Sequence, residues 1–268
     1  MAAAAALLLL PIPAAADTVA ERFPPPDGYA RVDADAFGRW LRKLPLLPGR
    51  PEVHLHDGRP KANQSAHLAV IDLDVGRRDL QQCADLVIRL RAEFLKGAGC
   101  DDQVAFDFTS GDRARWSDYR TGVRPKIDGN RVSWGRSASA DASDASFRRY
   151  LDLVFTYAGT LSLKAELEPV ADPAEVEVGD VFIQGGSPGH AVLVADVAEN
   201  DAGRRVFLLV QSYMPAQQAH VLRGPTGRVG DGPWYEAKPS GPLRTPEWRF
   251  EHGDLRRFPA TPGCAALR

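Results

Sequence analysis

The sequence predicts an α+β domain in which a long helix that carries a cysteine packs on an antiparallel sheet that carries a histidine. The segment from Leu80 to about Lys96 repeats apolar residues at helical spacing. Three apolar segments at 181–184, 190–197 and 206–213 have the length of strands and are bounded by turn residues. The last two flank the short polar turn 199–203, which predicts an antiparallel hairpin.

Length and charge set the class of protein. The chain has 268 residues, of which 44% are hydrophobic, and this is ample for one large domain or two small ones. Its formal net charge of -2 favours neither nucleic acid nor an anionic membrane surface as a partner. We therefore expect no nucleic-acid partner, and the sequence leaves the oligomeric state open.

The first sixteen residues differ from the rest of the chain. An Ala/Leu run from Met1 to Leu10 is followed by small residues up to Ala16, as in a secretory signal peptide. The run is too short, and too interrupted by proline, to span a bilayer, so we expect no integral membrane segment. We predict a signal peptide at 1–16, export to the periplasm or the cell exterior, and a single α+β domain at 17–268.

The elements before the long helix are short. A helix is predicted over Asp35–Leu44, because its apolar residues follow helical spacing and Pro48-Gly49 comes soon after it. The alternation of apolar and polar residues predicts a strand at 53–58 that runs into a turn. A less regular alternation predicts a mostly buried strand at 67–75.

The long helix has the clearest boundaries. Asp79 stands at the N-cap position with Gln82 three residues later, which is typical of a capping box. One apolar stripe is predicted along it, and Gly97 and Gly99 end it. The stripe consists of Leu80, Cys83, Val87, Leu90 and Phe94.

Beyond this helix, strands are predicted at 104–108 and 131–134, and a helix at 147–167 that is interrupted near Gly159. After Pro215 the chain is rich in Gly, Pro and Trp, which predicts loops and short strands on the surface.

His190 is the candidate general base. It opens a predicted strand directly after the turn 185–189, where its ring can face a cleft. In the predicted hairpin it lies opposite Gln211 or Ser212, and Gln211 is our first choice. A polar side chain there would bind one imidazole nitrogen and leave the other free to take a proton.

Cys83 is the candidate nucleophile. It falls in the first turn of the long helix, where the helix dipole and a neighbouring histidine would lower the pKa of a thiol. Gln82 or Gln64 would supply a donor to an oxyanion. Two alternatives remain open: Cys83 is a buried core residue, or it forms a disulfide with Cys100. A third cysteine stands at Cys264.

Two other sites are weighed against this pair. His54, His56 and His67 would form a zinc site, since His54 and His56 share one face of a strand. The aromatic residues near Trp234 and Trp248 would form the contact surface of a non-catalytic binding module.

Four segments resemble the uncharacterised bacterial family called domain of unknown function 4846, and this likeness covers nearly all of the chain after the signal peptide. The resemblance assigns no activity. The segments are Gln81–Asp85, Gly179–Gly186, Pro188–Val192 and Gln211–Gln217.

The order of Cys83 at a helix start, Gly179-Asp180 before a strand and Gly189-His190 opening the next is similar to NlpC/P60-type papain-like cysteine peptidases and amidases. That resemblance implies a papain-like fold and hydrolysis of peptide or amide bonds, often in cell-wall peptides, without a cofactor or a metal. It implies Cys83 as nucleophile, His190 as base and Gln211 as the polar third member.

The sequence departs from the NlpC/P60 pattern in two places. Ala84-Asp85 stands where those enzymes usually have Ser-Gly, and the segment between Cys83 and His190 is unusually long. An inserted strand-helix element within 101–167 accounts for the length. The expected function is an exported cysteine hydrolase, with the cell envelope as its expected place of action and a binding module on the same fold as the alternative.

Overall fold

The computed structural model describes residues 17–225, 232–261 and 264. The predicted signal peptide, 1–16, lies outside the described residues. Within those residues, none of the helices combines the length and the apolar character that crossing a membrane requires.

The described residues contain six α-helices, several short 3₁₀ turns and fifteen strands. The helices are α1 (Val19–Arg22), α2 (Ala36–Leu41), α3 (Cys83–Gly97), α4 (Trp116–Tyr119), α5 (Asp144–Tyr157) and α6 (Thr160–Glu166). The strands are β1 (Tyr29–Arg31), β2 (His67–Val70), β3 (Ala105–Asp107), β4 (Arg113–Arg115), β5 (Val123–Asp128), β6 (Arg131–Arg136), β7 (Glu168–Pro169), β8 (Val181–Gln184), β9 (His190–Asn200), β10 (Arg205–Gln211), β11 (His220–Leu222), β12 (Trp234–Glu236), β13 (Leu243–Arg244), β14 (Arg249–Phe250) and β15 (Leu255–Arg257).

The main sheet has the order β2-β11-β10-β9-β8-β15-β7, with β1 added to β9 and β12 added to β10. Its neighbouring strands pair antiparallel. The predicted α+β class with an antiparallel sheet is therefore confirmed.

The central strands β8, β9 and β10 are the three predicted from apolar runs. β8 has the predicted bounds, β9 continues to Asn200, and β10 ends at Gln211. They are buried along most of their length, which explains why they read as continuous apolar runs instead of alternating patterns.

Helix α3 begins at Cys83, three residues later than predicted, and Asp79 is not its N-cap. Gln82 is the N-cap, and its backbone N–H donates to the Asp85 carboxylate at 2.9 Å. The Asp79 carboxylate instead accepts hydrogen bonds from the backbone of Ala216 at 2.7 Å and from the Gln82 side chain at 3.0 Å. Because Asp79 is held by this contact with the Ala216 loop, it does not cap the helix, and α3 begins after Gln82.

Helix α3 is buried on nearly all sides, whereas the sequence predicted a single apolar stripe. It packs against β9 of the main sheet and against α6 on another side. Arg89 and Arg91 are buried as well. Arg89 is paired with Glu93 at 2.7 Å, and the Arg91 guanidinium lies over the Phe37 ring at 4.8 Å. These contacts compensate for the burial of the two arginines. The sequence predicted their side of α3 to be exposed because charged residues stand there.

Residues 101–167 lie outside the main sheet. They form the separate hairpins β3–β4 and β5–β6 and the helices α4, α5 and α6. Aromatic rings of Trp116, Phe147 and Tyr150 pack together within this region, with centroid separations of 5.1–6.0 Å. The predicted break near Gly159 is confirmed, since α5 ends at Tyr157 and α6 begins at Thr160.

Two predictions for the early segments need correction. Residues 53–58 form only isolated bridges, through His54 and Leu55, because they fold as a loop against other loops. The strand predicted at 67–75 ends at Val70, and Asp72 to Val75 continue without strand pairing.

Cys100 and Cys264 form a disulfide with a Cα–Cα separation of 5.6 Å. The alternative that paired Cys83 with Cys100 is therefore wrong, and Cys83 is a buried free thiol. The bond joins the chain just after α3 to residues 164 positions later. It closes most of the domain into one covalent loop.

Replacing both Cys100 and Cys264 by serine is expected to lower the free energy of unfolding by about 2–5 kcal/mol, since a long loop is no longer closed in the unfolded chain. Denaturant unfolding followed by circular dichroism measures the change. A reducing agent should lower the midpoint of the unmodified protein to that of the double variant and leave the variant itself unaffected. An unmodified protein insensitive to reductant would contradict this role.

Candidate active site

Cys83 is the first residue of α3, and only 5% of it is exposed. The helix places its backbone N–H and that of Ala84 near the thiol, and both lower the thiol pKa. The backbone N–H of Ala191, on β9, lies against the thiol and acts in the same direction. The nucleophile candidate thus sits where the start of α3 meets the start of β9.

The expected low pKa of Cys83 is wrong for the closed structure. Burial raises the pKa of this thiol to about 11, and the nearby Asp85 carboxylate contributes in the same direction. Loss of hydration disfavours the thiolate more than the helix start stabilises it. At neutral pH Cys83 is therefore protonated.

The structure brings His190 and Gln211 together, as predicted. The ring Nε2 of His190 lies 2.9 Å from the Gln211 side-chain oxygen. The register differs from the prediction, because β10 shifts against β9 between Leu208 and Leu209 and then pairs Val210 with Leu193. Continuing that register places Tyr213, not Gln211 or Ser212, opposite His190. Gln211 reaches the ring as a diagonal neighbour on the same face.

His190 is fully buried among aromatic rings. The centroids of Tyr213, Trp248 and Phe250 lie 4.8, 5.2 and 5.8 Å from its own. This dry environment lowers the pKa of His190 to about 4, so the imidazole is neutral at pH 7. Its second nitrogen, Nδ1, is buried and has no hydrogen-bond partner among the described residues. An unpaired ring nitrogen of a neutral imidazole is available to accept a proton.

Cys83 and His190 share their surroundings but are not hydrogen-bonded to each other. The amide that lies against the thiol belongs to Ala191, the residue after His190. Tyr213 packs on the His190 ring, and its own pKa is raised chiefly by burial and also by the charges of Glu247 and Cys83. The thiol thus lies against the residue that follows His190, and Tyr213 is influenced by Cys83 and packs on the His190 ring.

A chain of buried polar side chains continues from Gln211. Its amide nitrogen lies 2.8 Å from the Glu247 carboxylate and 3.1 Å from Nε2 of His220. Glu247 pairs with Lys61 at 2.6 Å. Sequence reasoning missed these three residues. Lys61 and Glu247 lie on loops far apart in the chain, whereas reading 211–220 as a hairpin would have placed His220 beside Gln211, as the structure does.

Both glutamines proposed as oxyanion donors make other hydrogen bonds. The Gln64 side chain is hydrogen-bonded to the backbone of Val53 and Lys61, at 2.9–3.0 Å, and so holds a loop together. The Gln82 amide donates to Asp79. The donors that do surround the thiol are the backbone N–H groups of Cys83, Ala84 and Ala191.

The alternative of a zinc site formed by His54, His56 and His67 is wrong. His67 is buried with its Nε2 donating to the Pro51 carbonyl at 2.9 Å, while the ring of His54 approaches Glu52 at 4.0 Å. Within the ranges that the structure covers, no group of three or more His, Cys, Asp or Glu side chains is arranged to hold a metal ion.

The predicted aromatic contact surface is also not present as such. Trp234 is 4% exposed, and its indole N–H donates to the Pro24 carbonyl at 3.0 Å. Trp248 packs over His190 and donates to the Gln184 side chain at 3.0 Å. Trp234 is therefore part of the interior packing, whereas Trp248 is half-buried and its ring is engaged with His190 and Gln184.

The site is closed in this structure. A cavity of about 640 Å³ lies near Phe37, Arg91 and Phe258, and neither Cys83 nor His190 lines it. With His190 fully buried, a substrate reaches the pair only if the covering residues move. Two of the rings that pack on His190, those of Trp248 and Phe250, lie with Glu247 on the segment Thr245–Phe250, which we call the cover.

Residues 19–257 match the family model described as Domain of unknown function (4846). The match confirms the family resemblance found in the sequence. No curated protein and no solved structure matches the chain. The resemblance to NlpC/P60 enzymes therefore stays a prediction.

Burial raises the pKa of Asp85 to about 8, far above that of a solvated carboxyl. A raised folded-state pKa adds stability at low pH that is lost as the pH rises toward 8. Asp85→Asn should remove this loss, so its stability relative to the unmodified protein should grow between pH 4 and 8. The slope is up to about 1.4 kcal/mol per pH unit. Urea unfolding at several pH values measures it, with the exposed Asp72→Asn as control; a pH-independent difference would contradict it.

Proposed function

The chain belongs to the family described as Domain of unknown function (4846), and we propose that it is an exported cysteine hydrolase of peptide or amide bonds in the cell envelope. Cys83 is the nucleophile, His190 the general base and Gln211 the residue that orients His190. The proposed arrangement is papain-like, of the NlpC/P60 type, with 101–167 as an inserted element. The α+β structure with a cysteine heading the central helix supports this proposal.

One observation carries the proposal. Nε2 of His190 is bound to Gln211 at 2.9 Å, and Nδ1 is buried and finds no partner in the part of the chain that the structure describes. A buried polar atom without a partner is costly, and such atoms are uncommon in folded proteins. A ring fixed at one nitrogen and open at the other, on the residue before the one whose backbone amide meets Cys83, has the parts of a thiol–imidazole pair.

In the proposed reaction the Cys83 thiol attacks the substrate carbonyl carbon while its proton passes to Nδ1 of His190. The oxyanion that forms accepts hydrogen bonds from backbone N–H groups at the start of α3. The imidazolium then gives its proton to the leaving amine, and an acyl-enzyme thioester remains. Water, deprotonated by His190, hydrolyses the thioester and restores the thiol.

The pKa values set the order of events. With the Cys83 pKa near 11 and the His190 pKa near 4, both groups are neutral in the closed site. A thiolate–imidazolium pair does not form in advance, so the proton moves as the sulfur–carbon bond forms. Opening of the cover would hydrate both groups and shift both pKa values toward their usual ranges.

The disulfide supports the proposed export. Stable structural disulfides form in the periplasm or outside the cell and are rare in the reducing cytosol. Cys100–Cys264 is such a bond. It leaves Cys83 as the free thiol of the described residues.

A second candidate is a non-catalytic envelope binding module on the same fold. The observation in its favour is the burial of both Cys83 and His190, which leaves the pair uncharged and covered. Its contact surface would lie elsewhere than at Trp234, because that ring is buried against Pro24.

The hydrolase proposal is tested with cell-wall peptides as substrates and mass spectrometry as the measurement. Cys83→Ala and His190→Ala should each lower the rate of cleavage by about 1,000-fold or more, since the nucleophile and its base act as one unit. His54→Ala is the matched control, because His54 is partly exposed and lies outside the site; its rate should be unchanged.

Alkylation of the folded protein with iodoacetamide gives a second measurement. Modification of Cys83 near neutral pH, slowed at least about 10-fold in His190→Ala, supports a thiol assisted by the imidazole. If Cys83 stays unmodified in the folded protein and cell-wall fragments bind equally well to Cys83→Ala, the binding module is the better account.

A further inference from the structure

The hydrogen bonds around Gln211 determine which nitrogen of His190 carries the proton. The Glu247 carboxylate, paired with Lys61 at 2.6 Å, can only accept hydrogen bonds. The end of the Gln211 amide that lies 2.8 Å from it must therefore be the nitrogen. The opposite orientation is excluded, because the amide oxygen would face the carboxylate as a second acceptor and be repelled.

The second proton of the Gln211 nitrogen has an acceptor as well. Nδ1 of His220 lies 2.9 Å from the Gln218 carbonyl, which only accepts, so Nδ1 carries the His220 proton. Burial lowers the pKa of His220 to about 3, so the ring is neutral. Its Nε2 is then a free acceptor, 3.1 Å from the Gln211 nitrogen.

Glu247 and His220 both bind the Gln211 nitrogen, and the Gln211 oxygen therefore faces His190. An amide oxygen accepts, so Nε2 of His190 must donate to it across 2.9 Å. A neutral imidazole carries one N–H proton, and Nδ1 is left unprotonated. The neutral ring of His220 favours the same orientation of the amide, but the bond to the Glu247 carboxylate is charge-assisted and is the stronger of the two.

We propose that Glu247, held in place by Lys61, is a positioning residue that fixes the Gln211 amide and thereby selects the Nε2-protonated form of His190. The selected form presents Nδ1 as the proton acceptor for Cys83. This use of Nδ1 rests on the proposed hydrolase function, whereas the choice of tautomer rests only on the hydrogen bonds. Glu247 does not touch the reacting atoms and acts through Gln211.

Glu247→Gln tests the proposal with little change in size. The new side-chain oxygen stays with the Lys61 ammonium, so its amide nitrogen faces the nitrogen of Gln211. Two donors repel each other, and Gln211 relieves this by turning its amide over. Its oxygen then faces Nε2 of His220, so the His220 proton moves from Nδ1 to Nε2 and donates to it. His190 then meets a donor, and its proton moves from Nε2 to Nδ1.

The measurement is a long-range ¹H–¹⁵N correlation spectrum of the histidine rings in the full folded protein. The unmodified protein should show His190 protonated at Nε2 and His220 protonated at Nδ1. Glu247→Gln should show the reverse, with His190 protonated at Nδ1 and His220 at Nε2. Glu251→Gln is the matched control, since Glu251 lies on the neighbouring stretch, is exposed and pairs with the exposed Arg249 at 3.2 Å. It should leave the tautomer unchanged.

A second variant restores the pattern by exchanging the two side chains. In Glu247→Gln combined with Gln211→Glu, the new carboxylate at 211 accepts from His190 and from the amide at 247. The Nε2 proton of His190 should return. Cleavage should fall roughly 100-fold or more in Glu247→Gln, since the wrong tautomer presents no acceptor to the thiol, and should recover in part in the exchanged protein.

His190 protonated at Nδ1 in the unmodified protein would overturn the proposal, and this measurement needs no variant to fold. An unchanged His190 tautomer in folded Glu247→Gln would overturn it as well. If the tautomers change as expected but Cys83→Ala cleaves as fast as the unmodified protein, the hydrolase function fails and the positioning role of Glu247 stands.

Discussion

The contact between the first turn of α3 and the first residues of β9 is the constraint on which the site depends. Helix α3 is enclosed on nearly all sides, so the position of Cys83 is set by the packing of the whole interior. The backbone amide of Ala191 meets the thiol, and the preceding residue supplies the imidazole. Any change that tilts α3 against β9 moves the thiol relative to His190, even if it lies far from both groups.

The same burial has opposite effects on the charges and on the hydrogen bonds. A dry interior raises the pKa of Cys83 and lowers that of His190, which keeps the pair neutral. It also strengthens the hydrogen bonds from His190 through Gln211 to Glu247, because water does not compete for them. In the closed site the hydrogen bonds thus fix the side chains, and the neutral thiol is a weak nucleophile. Both properties follow from the exclusion of solvent.

Local signals in the sequence predicted much of this arrangement. The apolar runs identified β8, β9 and β10, and the glycine turn singled out His190 with Gln211 as its partner. The start of α3 was misplaced, because Asp79 is engaged by Ala216 from a distant loop. The register was misjudged because β10 shifts against β9 at Leu208. Lys61 and Glu247 were missed for the same kind of reason. They are brought together by tertiary structure, and two residues so far apart in the sequence form no recognisable motif.

Access to the site and orientation of the base are linked through one segment. Thr245–Phe250 carries Trp248, which covers the His190 ring, and Glu247, which binds Gln211. A movement of the whole segment that uncovers His190 also draws Glu247 away from Gln211. Only if Trp248 moves independently of Glu247 does the contact with Gln211 remain. The Lys61–Glu247 ion pair is buried and hydrogen-bonded, and breaking it would leave charges without partners in a dry environment. The geometry therefore favours an opening in which Trp248 swings from His190 while Glu247 stays bound to Lys61.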